Sequence, residues 1–341
     1  VTRRGLFVAG ITVTAVAIAC LLRFASDDAS VSFDYARSLI EGHGLTWHGA
    51  HVEGYRSFLW VLWSALGLEL GADPLVWAWA TSLVALAATL VITYRIAALR
   101  STACAGVAAI AVLATNFTFL AFGTGGLGTM LQAALIAGVW FEVERMRRQR
   151  PNVEQMVVVS TFASLALWAG LDSAPALAVL AGVAAHRLAK TDASVRTWVG
   201  GAMPVLLFVG GWFLWKLSFY GELVPTTLHV TGTGAGFVVR FFTAYMLWPL
   251  LAGIVVLAIV RRQVASALPL ALVAAHVAYV IAVGGDLVEF RSFVPILPAL
   301  AIALAEFATT EAPRLPRVQL RIAALIGFVA AFSLHHGLTV R

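Results

Sequence analysis

Residues Ala25–Glu53 read ASDDASVSFDYARSLIEGHGLTWHGAHVE and follow directly on an apolar run that ends at Phe24. Few other stretches of the chain gather so much charge and histidine. Carboxylates beside a membrane-length apolar run are costly to keep near lipid, so Asp27, Asp28, Asp34, Glu41 and Glu53 mark a region where function is expected. The chain around it is 61% hydrophobic and 12% charged, with a mean hydropathy of +0.90. That composition lacks the polar residues needed to coat a water-soluble surface and describes an integral membrane protein.

Working outward, apolar runs of spanning length or near it lie at Gly5–Phe24, Leu75–Ala97, Thr102–Phe122, Gly126–Phe141, Met156–Leu171, Ala174–Leu188, Trp198–Phe219, Phe241–Val260, Ala265–Val283, Phe293–Phe307 and Ile322–His335. These predict an all-α bundle of about eleven transmembrane helices. Helices are preferred to a β-barrel because the runs are continuous rather than alternating. The segment Phe58–Leu70 is shorter and reads as an interfacial or re-entrant helix.

Charge then sets the sidedness. With Phe58–Leu70 left out, the basic clusters Arg3-Arg4, Arg95–Arg100, Arg145–Arg150, Arg187–Arg196, Arg261-Arg262 and Arg314–Arg321 share one side, which the positive-inside rule makes cytoplasmic. The N-terminus is expected there, as an uncleaved first helix rather than a signal peptide. The opposite side receives Asp27, Asp28, Asp34, Glu41, Glu53, Glu69, Asp73, Asp172, Glu222, Asp286 and Glu289. Exclusion of acids from the inner face accounts for several of them, but not for their crowding into a few loops. The net charge of +6 is spread over the inner loops and forms no nucleic-acid-reading patch. Cys20 and Cys104 lie in apolar runs and indicate neither a disulfide framework nor a metal site.

Within the first outer loop, 25–74, the acidic pair Asp27-Asp28 stands where the first helix leaves the membrane. An amphipathic surface helix is expected over Val31–Ile40, closed by Glu41-Gly42-His43-Gly44 because glycine accepts the left-handed cap conformation. An Asp pair at such a point also suits a helix start, where carboxylates satisfy free N–H groups. His43, His48 and His51 match no common zinc spacing, and His335-His336 reads as an exposed interfacial pair. Lys216 and Arg240 read as long side chains snorkelling to headgroups, and Arg37 as a partner for Asp34 or Glu41. The tryptophans around this loop suit a membrane interface.

The order DDASVSFDYARSLIEGHGLTWH, then VEGYRSFLW, then a proline-started helix ending YRIAALR, resembles the first outer loop of polyprenyl-phosphate-dependent glycosyltransferases of the GT-C class. It is similar above all to bacterial membrane arabinofuranosyltransferases of the mycobacterial terminal type. GGLGT at Gly125–Thr129, FYGELVPTT at Phe219–Thr227 and GGDLVEFRSFVPILP at Gly284–Pro298 extend the likeness along nearly the whole chain. The chain departs from the pattern at Asp34, where Arg is common, at Gly128, where Glu is common, and at Gly170-Leu171, where Arg-Pro is common.

The resemblance implies one transmembrane GT-C-like domain over 1–341, in the bacterial cytoplasmic (inner) membrane, active at its periplasmic or extracellular face. It implies transfer of a sugar, arabinofuranose by the nearest likeness, from a polyprenyl-phosphate lipid to a hydroxyl on a glycan, lipid or protein acceptor. Such chemistry needs a base for the hydroxyl and donors for the leaving phosphate. Asp27 is the expected base and Asp28 its orienting neighbour or the ligand of a divalent cation, Mg or Mn. Arg291, His43, Arg56 and His229 are candidates for the donor phosphate, Arg291 first because its planar fork matches phosphate oxygens. Glu53, Tyr55, Asp172, Glu222 and Asp286 are candidates for acceptor binding or support. Two other classes stand beside this one: an inactive relative serving as an accessory subunit of a membrane complex, and a transporter or flippase, for which no internal repeat or mid-helix charge pair speaks.

Overall fold

The computed structural model describes residues 3–222, 233–261, 267–286, 289–311 and 318–340. Among these it contains helices and turns and no strand, only an isolated bridge between Trp47 and Ala50. The helices are α1 (Arg3–Leu21), α2 (Asp27–Ile40), α3 (Phe58–Glu69), α4 (Pro74–Arg100), α5 (Ala103–Ala114), α6 (Phe117–Ala121), α7 (Thr129–Arg145), α8 (Val153–Ala169), α9 (Ala174–Lys190), α10 (Val195–Pro204), α11 (Gly211–Tyr220), α12 (Gly234–Ala244), α13 (Trp248–Arg261), α14 (Ala267–Val283), α15 (Leu297–Glu306) and α16 (Val318–Val340). A π-helical turn, Val205–Gly210, joins α10 to α11 into one continuous rod, and a 3-10 turn, Arg291–Ile296, leads into α15.

Local chemistry fixes the ends nearest the site. Asp73 accepts from the N–H groups of Leu75 and Val76 at 3.0 and 2.9 Å, and Pro74 opens α4, where its missing N–H costs nothing. Ser57 caps α3 by accepting from Trp60 N–H at 3.2 Å. The surface helix starts earlier than its apolar pattern indicated. Asp27 and Asp28 form its first turn, where carboxylates meet the positive end of the helix dipole. It stops at Gly42, whose φ of +84° lets the His43 N–H reach back to the Ser38 carbonyl at 3.0 Å.

In the interior α4 lies against α5 and α7, α7 against α8, and α15 against α5. Every residue of α15 is buried, which explains a sequence with no polar face between Leu297 and Ala305. Glycine sets the closest approach: a Cβ at Gly106 on α5 would stand 2.7 Å from the Tyr94 ring and 2.8 Å from its carbonyl on α4.

The expected count of about eleven spans is not confirmed. Among the described residues, five helices are long and apolar enough to cross a membrane, or six if the pair Gly234–Ala244 and Trp248–Ile254, bent by 92°, is one broken span. Each remaining apolar run coincides with a shorter helix, such as Ala103–Ala114, Val153–Ala169 and Ala267–Val283. These fall below the roughly 20 residues a straight crossing needs. The run Thr102–Phe122 is interrupted at Thr115-Asn116, where Asn116 accepts from Phe119 N–H at 2.8 Å and starts α6 anew. The run Phe241–Val260 breaks at Tyr245–Leu247. The protein is nonetheless a multi-pass membrane protein by its helices and fold.

Two ionic clusters stand at opposite ends of the buried segment Arg291–Thr309. At the Glu306 end, Arg100 pairs with Glu306 at 2.8 Å and with Glu144 at 2.5 Å, tying together the last turns of α4, α7 and α15. At the Arg291 end the acidic loops meet.

Candidate active site

Arg291 sits at the head of the 3-10 turn with only 9% of its side chain exposed. Its Nε and one terminal nitrogen grip both oxygens of Asp286, at 2.9 and 3.0 Å, in the bidentate geometry that a planar guanidinium favours. The other terminal nitrogen donates to Asp28 at 2.7 Å, across 263 positions of sequence. Ser292 donates its hydroxyl to Asp286 at 3.0 Å.

Arg56 continues the chain of charges. It donates to Asp286 at 2.8 Å and to Asp172 at 2.8 Å. Asp172 lies in the short turn Leu171–Ser173 between α8 and α9 and also accepts from the Gln132 amide on α7 at 2.6 Å. Asp28, Arg291, Asp286, Arg56 and Asp172 are therefore one continuous network drawing on the 25–74 segment, the α8–α9 turn and the loop after α14, with Gln132 of α7 attached to it. Burial works against ionisation of Asp172, but Arg56 beside it, with His276 and Gln132, outweighs that and holds its carboxyl below the usual carboxylate range.

The network is closed at one end and open at the other. Asp172 and Asp286 are almost wholly buried, whereas Asp28 keeps 50% and Arg56 42% of the side chain exposed. Asp27 is exposed, and its carboxylate makes no hydrogen bond or ion pair among the described residues. Arg56 retains N–H donors without partners among the described residues. A free carboxylate thus stands next in sequence to one that is tied to a guanidinium. This arrangement can accept a proton at Asp27 and hold an anion against Arg56 and Arg291.

The other candidates separate from it. Glu53 is buried and pairs with Lys216 of α11 at 2.7 Å. Lys216 has no exposed surface and lies 4.8 Å from the centre of the Trp212 ring, so it is an internal tether and does not snorkel. Burial pushes the Glu53 carboxyl up, and the Lys216 contact only partly offsets this. Tyr55 is sealed among Tyr35, Phe58 and Tyr220. His43 is exposed and faces Glu41 at 3.7 Å, within the groove over α2 rather than at the arginines. Glu222 is exposed just beyond α11 and makes no ion pair among the described residues, and His229 lies outside the described residues. The tail histidines divide: His335 is exposed, but His336 is buried and meets Glu289 at 2.6 Å.

Sequence reasoning passed over Gln132, His276 and Ser292. A lone long amide between Thr129 and Glu142, in an otherwise apolar stretch, was the available signal for Gln132. At Gly128, one of the departures from the resembled pattern, a Cβ would lie 3.0 Å from the Trp60 side chain, whose indole N–H is anchored on the Gly126 carbonyl at 3.0 Å. No larger residue fits there without moving Trp60.

Comparison with solved structures locates this architecture. The crystal structure of ArnT from Cupriavidus metallidurans bound to undecaprenyl phosphate superposes with a TM-score of 0.67, covering 99% of this chain and 76% of ArnT at 14% identity. The fold is that of ArnT. ArnT in the apo state gives a TM-score of 0.65 over 98% of this chain and 74% of ArnT, again at 14% identity. At this identity the likeness is one of fold, and it agrees with the helical membrane architecture expected from the sequence. No protein-family profile and no curated protein matches the chain.

Proposed function

We propose that this chain transfers a sugar from a polyprenyl-phosphate donor to an acceptor hydroxyl at the outer face of the bacterial cytoplasmic membrane. The observation that carries the reading is the Asp28–Arg291 pair at 2.7 Å beside an unengaged Asp27. The binding of undecaprenyl phosphate by ArnT, in the same fold, supports a lipid phosphate of that class as the donor. The positive-inside pattern supports a cytoplasmic N-terminus and an outward-facing site. Arabinofuranose as the sugar, and a glycan, lipid or protein as the acceptor, rest on the sequence resemblance alone.

In this reading Asp27 takes the proton of the acceptor hydroxyl as its oxygen attacks the anomeric carbon. The bond between that carbon and the lipid phosphate oxygen breaks, and the phosphate leaves with the electron pair. Arg56 and Arg291 donate to the phosphate oxygens as negative charge gathers there. Asp172 and Asp286 hold the two forks in place, and Asp28 aims Arg291. A divalent cation at Asp28 would share a carboxylate whose Oδ2 already accepts from Arg291. Among the described residues no group of three or more His, Cys, Asp or Glu side chains is placed to hold a metal ion.

Asp27→Asn in the purified protein, assayed with a labelled polyprenyl-phosphate sugar, is expected to lose at least about 100-fold in transfer with thermal stability unchanged. Full activity in both Asp27→Asn and Asp28→Asn removes the proposal. Each arginine of the network also stands between two carboxylates, an arrangement compatible with a structural role in an accessory subunit. Fixed-stoichiometry co-purification with a larger complex, together with no lipid-phosphate binding, favours that second reading.

A further inference from the structure

A separate open groove of about 600 Å³ lies over the surface helix α2, lined by residues between Asp34 and His51. Its size falls within the roughly 300–1,000 Å³ of small-molecule sites. Its walls are built rather than incidental. Ser38 donates to the Gly44 carbonyl at 2.9 Å and lies 3.0 Å from the Thr46 hydroxyl, fixing the far wall to the helix. Trp47 and Ala50 exchange both backbone hydrogen bonds at 2.9 Å around a two-residue turn, His48-Gly49, with φ of +48° and +83°. That turn type is suited to glycine or asparagine, and a histidine there is held in the left-handed region at a cost. The strain presents an exposed imidazole to the groove. His51 is fixed in turn by stacking on Phe219, with ring centres 4.5 Å apart.

The lining chemistry selects the ligand. Asp34 and Glu41 oppose Arg37 as the permanent charges, alongside imidazoles, two hydroxyls and the half-buried Trp47. An anion would meet two carboxylates for one guanidinium, and a lipid tail would find Trp47 as the one large apolar side chain among polar and charged neighbours. A neutral, hydroxyl-rich ligand can bond to carboxylate, imidazole and hydroxyl alike. The groove also points at the network. Asp27, Asp34 and Glu41 recur every seven residues, so they fall on one side of α2 with Asp34 about 10 Å along the axis from Asp27. We propose that this groove is the binding subsite for a neutral sugar chain whose terminal hydroxyl reaches Asp27. The assignment rests on the glycosyl-transfer reading for its purpose, but not for its test.

The detergent-solubilised full chain is applied to an array of neutral and acidic glycans, and radiolabelled undecaprenyl phosphate binding is measured in parallel. The expected result is binding to a subset of neutral glycans, weakened about tenfold or more in both Asp34→Ala and Glu41→Ala, as for loss of a charge-assisted hydrogen bond. Undecaprenyl phosphate binding and thermal stability stay at the wild-type level in both variants. No glycan binding by the wild type, binding to acidic glycans only, or equal binding by wild type and variants overturns the proposal. Absence of undecaprenyl phosphate binding with intact glycan binding counts against the transfer reading and leaves the groove assignment standing.

Discussion

At the scale of single residues, the site is made of charges that neutralise one another except at its mouth. Removing one partner of a buried pair costs far more than the pair contributes, because the survivor is left uncompensated. Lys216→Met, which abandons Glu53 in the interior, is therefore expected to destabilise the protein by about 3 kcal/mol, read as a lower denaturation midpoint. Lys216 and Glu53 stood in the sequence as a headgroup-seeking lysine and a possible acceptor residue. Neither pattern contains the information that α11 brings one against the other, because the contact spans more than 160 positions and depends on how the rods pack. Asp172 gives a pH signature. Its carboxyl is held below the usual range in the folded state, so it binds fewer protons there than in the unfolded chain. The stability it contributes is complete above the unfolded value near about 4 and is lost as pH falls toward the folded value. The melting temperature of the wild type should drop across that window, and Asp172→Asn, already weakened, should drop less.

At the scale of elements, sequence was most informative where a local chemical device ends a helix. Gly42 stops α2, Asp73-Pro74 starts α4, and the acidic loop between α1 and α3 was evident from charge alone. It was least informative where an apolar run hides a break. Thr115-Asn116 and the bend at Tyr245–Leu247 leave the hydropathy almost unchanged, because buried neighbours such as the Ser333 hydroxyl, which accepts from Phe117 N–H at 2.5 Å, satisfy the freed backbone. Close packing of α4 on α5 is set by Gly106, and Gly106→Ala is expected to cost about 1–3 kcal/mol, seen as a fall in melting temperature. The same substitution at Gly10, which has open space around it, should lower stability by none of that amount.

At the scale of the whole molecule, the bundle carries one ionic cluster at each end of the buried segment that includes α15. The Arg100 cluster ties together three helix ends, and the Arg291 cluster gathers loops that are far apart in sequence. Charge sorting grouped the acids with Arg291 in the sequence, but among the described residues Asp28, Asp172 and Asp286 join its network while Asp34 and Glu53 pair elsewhere, and which carboxylate grips which guanidinium was not legible. At this end Arg56 and Arg291 share the Asp286 carboxylate, and the proposed donor phosphate would meet both guanidiniums. The most direct test is the affinity of the purified chain for radiolabelled undecaprenyl phosphate, compared with Arg56→Lys and Arg291→Lys, which keep the charge and lose the planar fork. The account predicts saturable binding by the wild type and affinities weaker by about tenfold in each variant. Equal affinity in all three proteins, or no saturable binding by any of them, would contradict it.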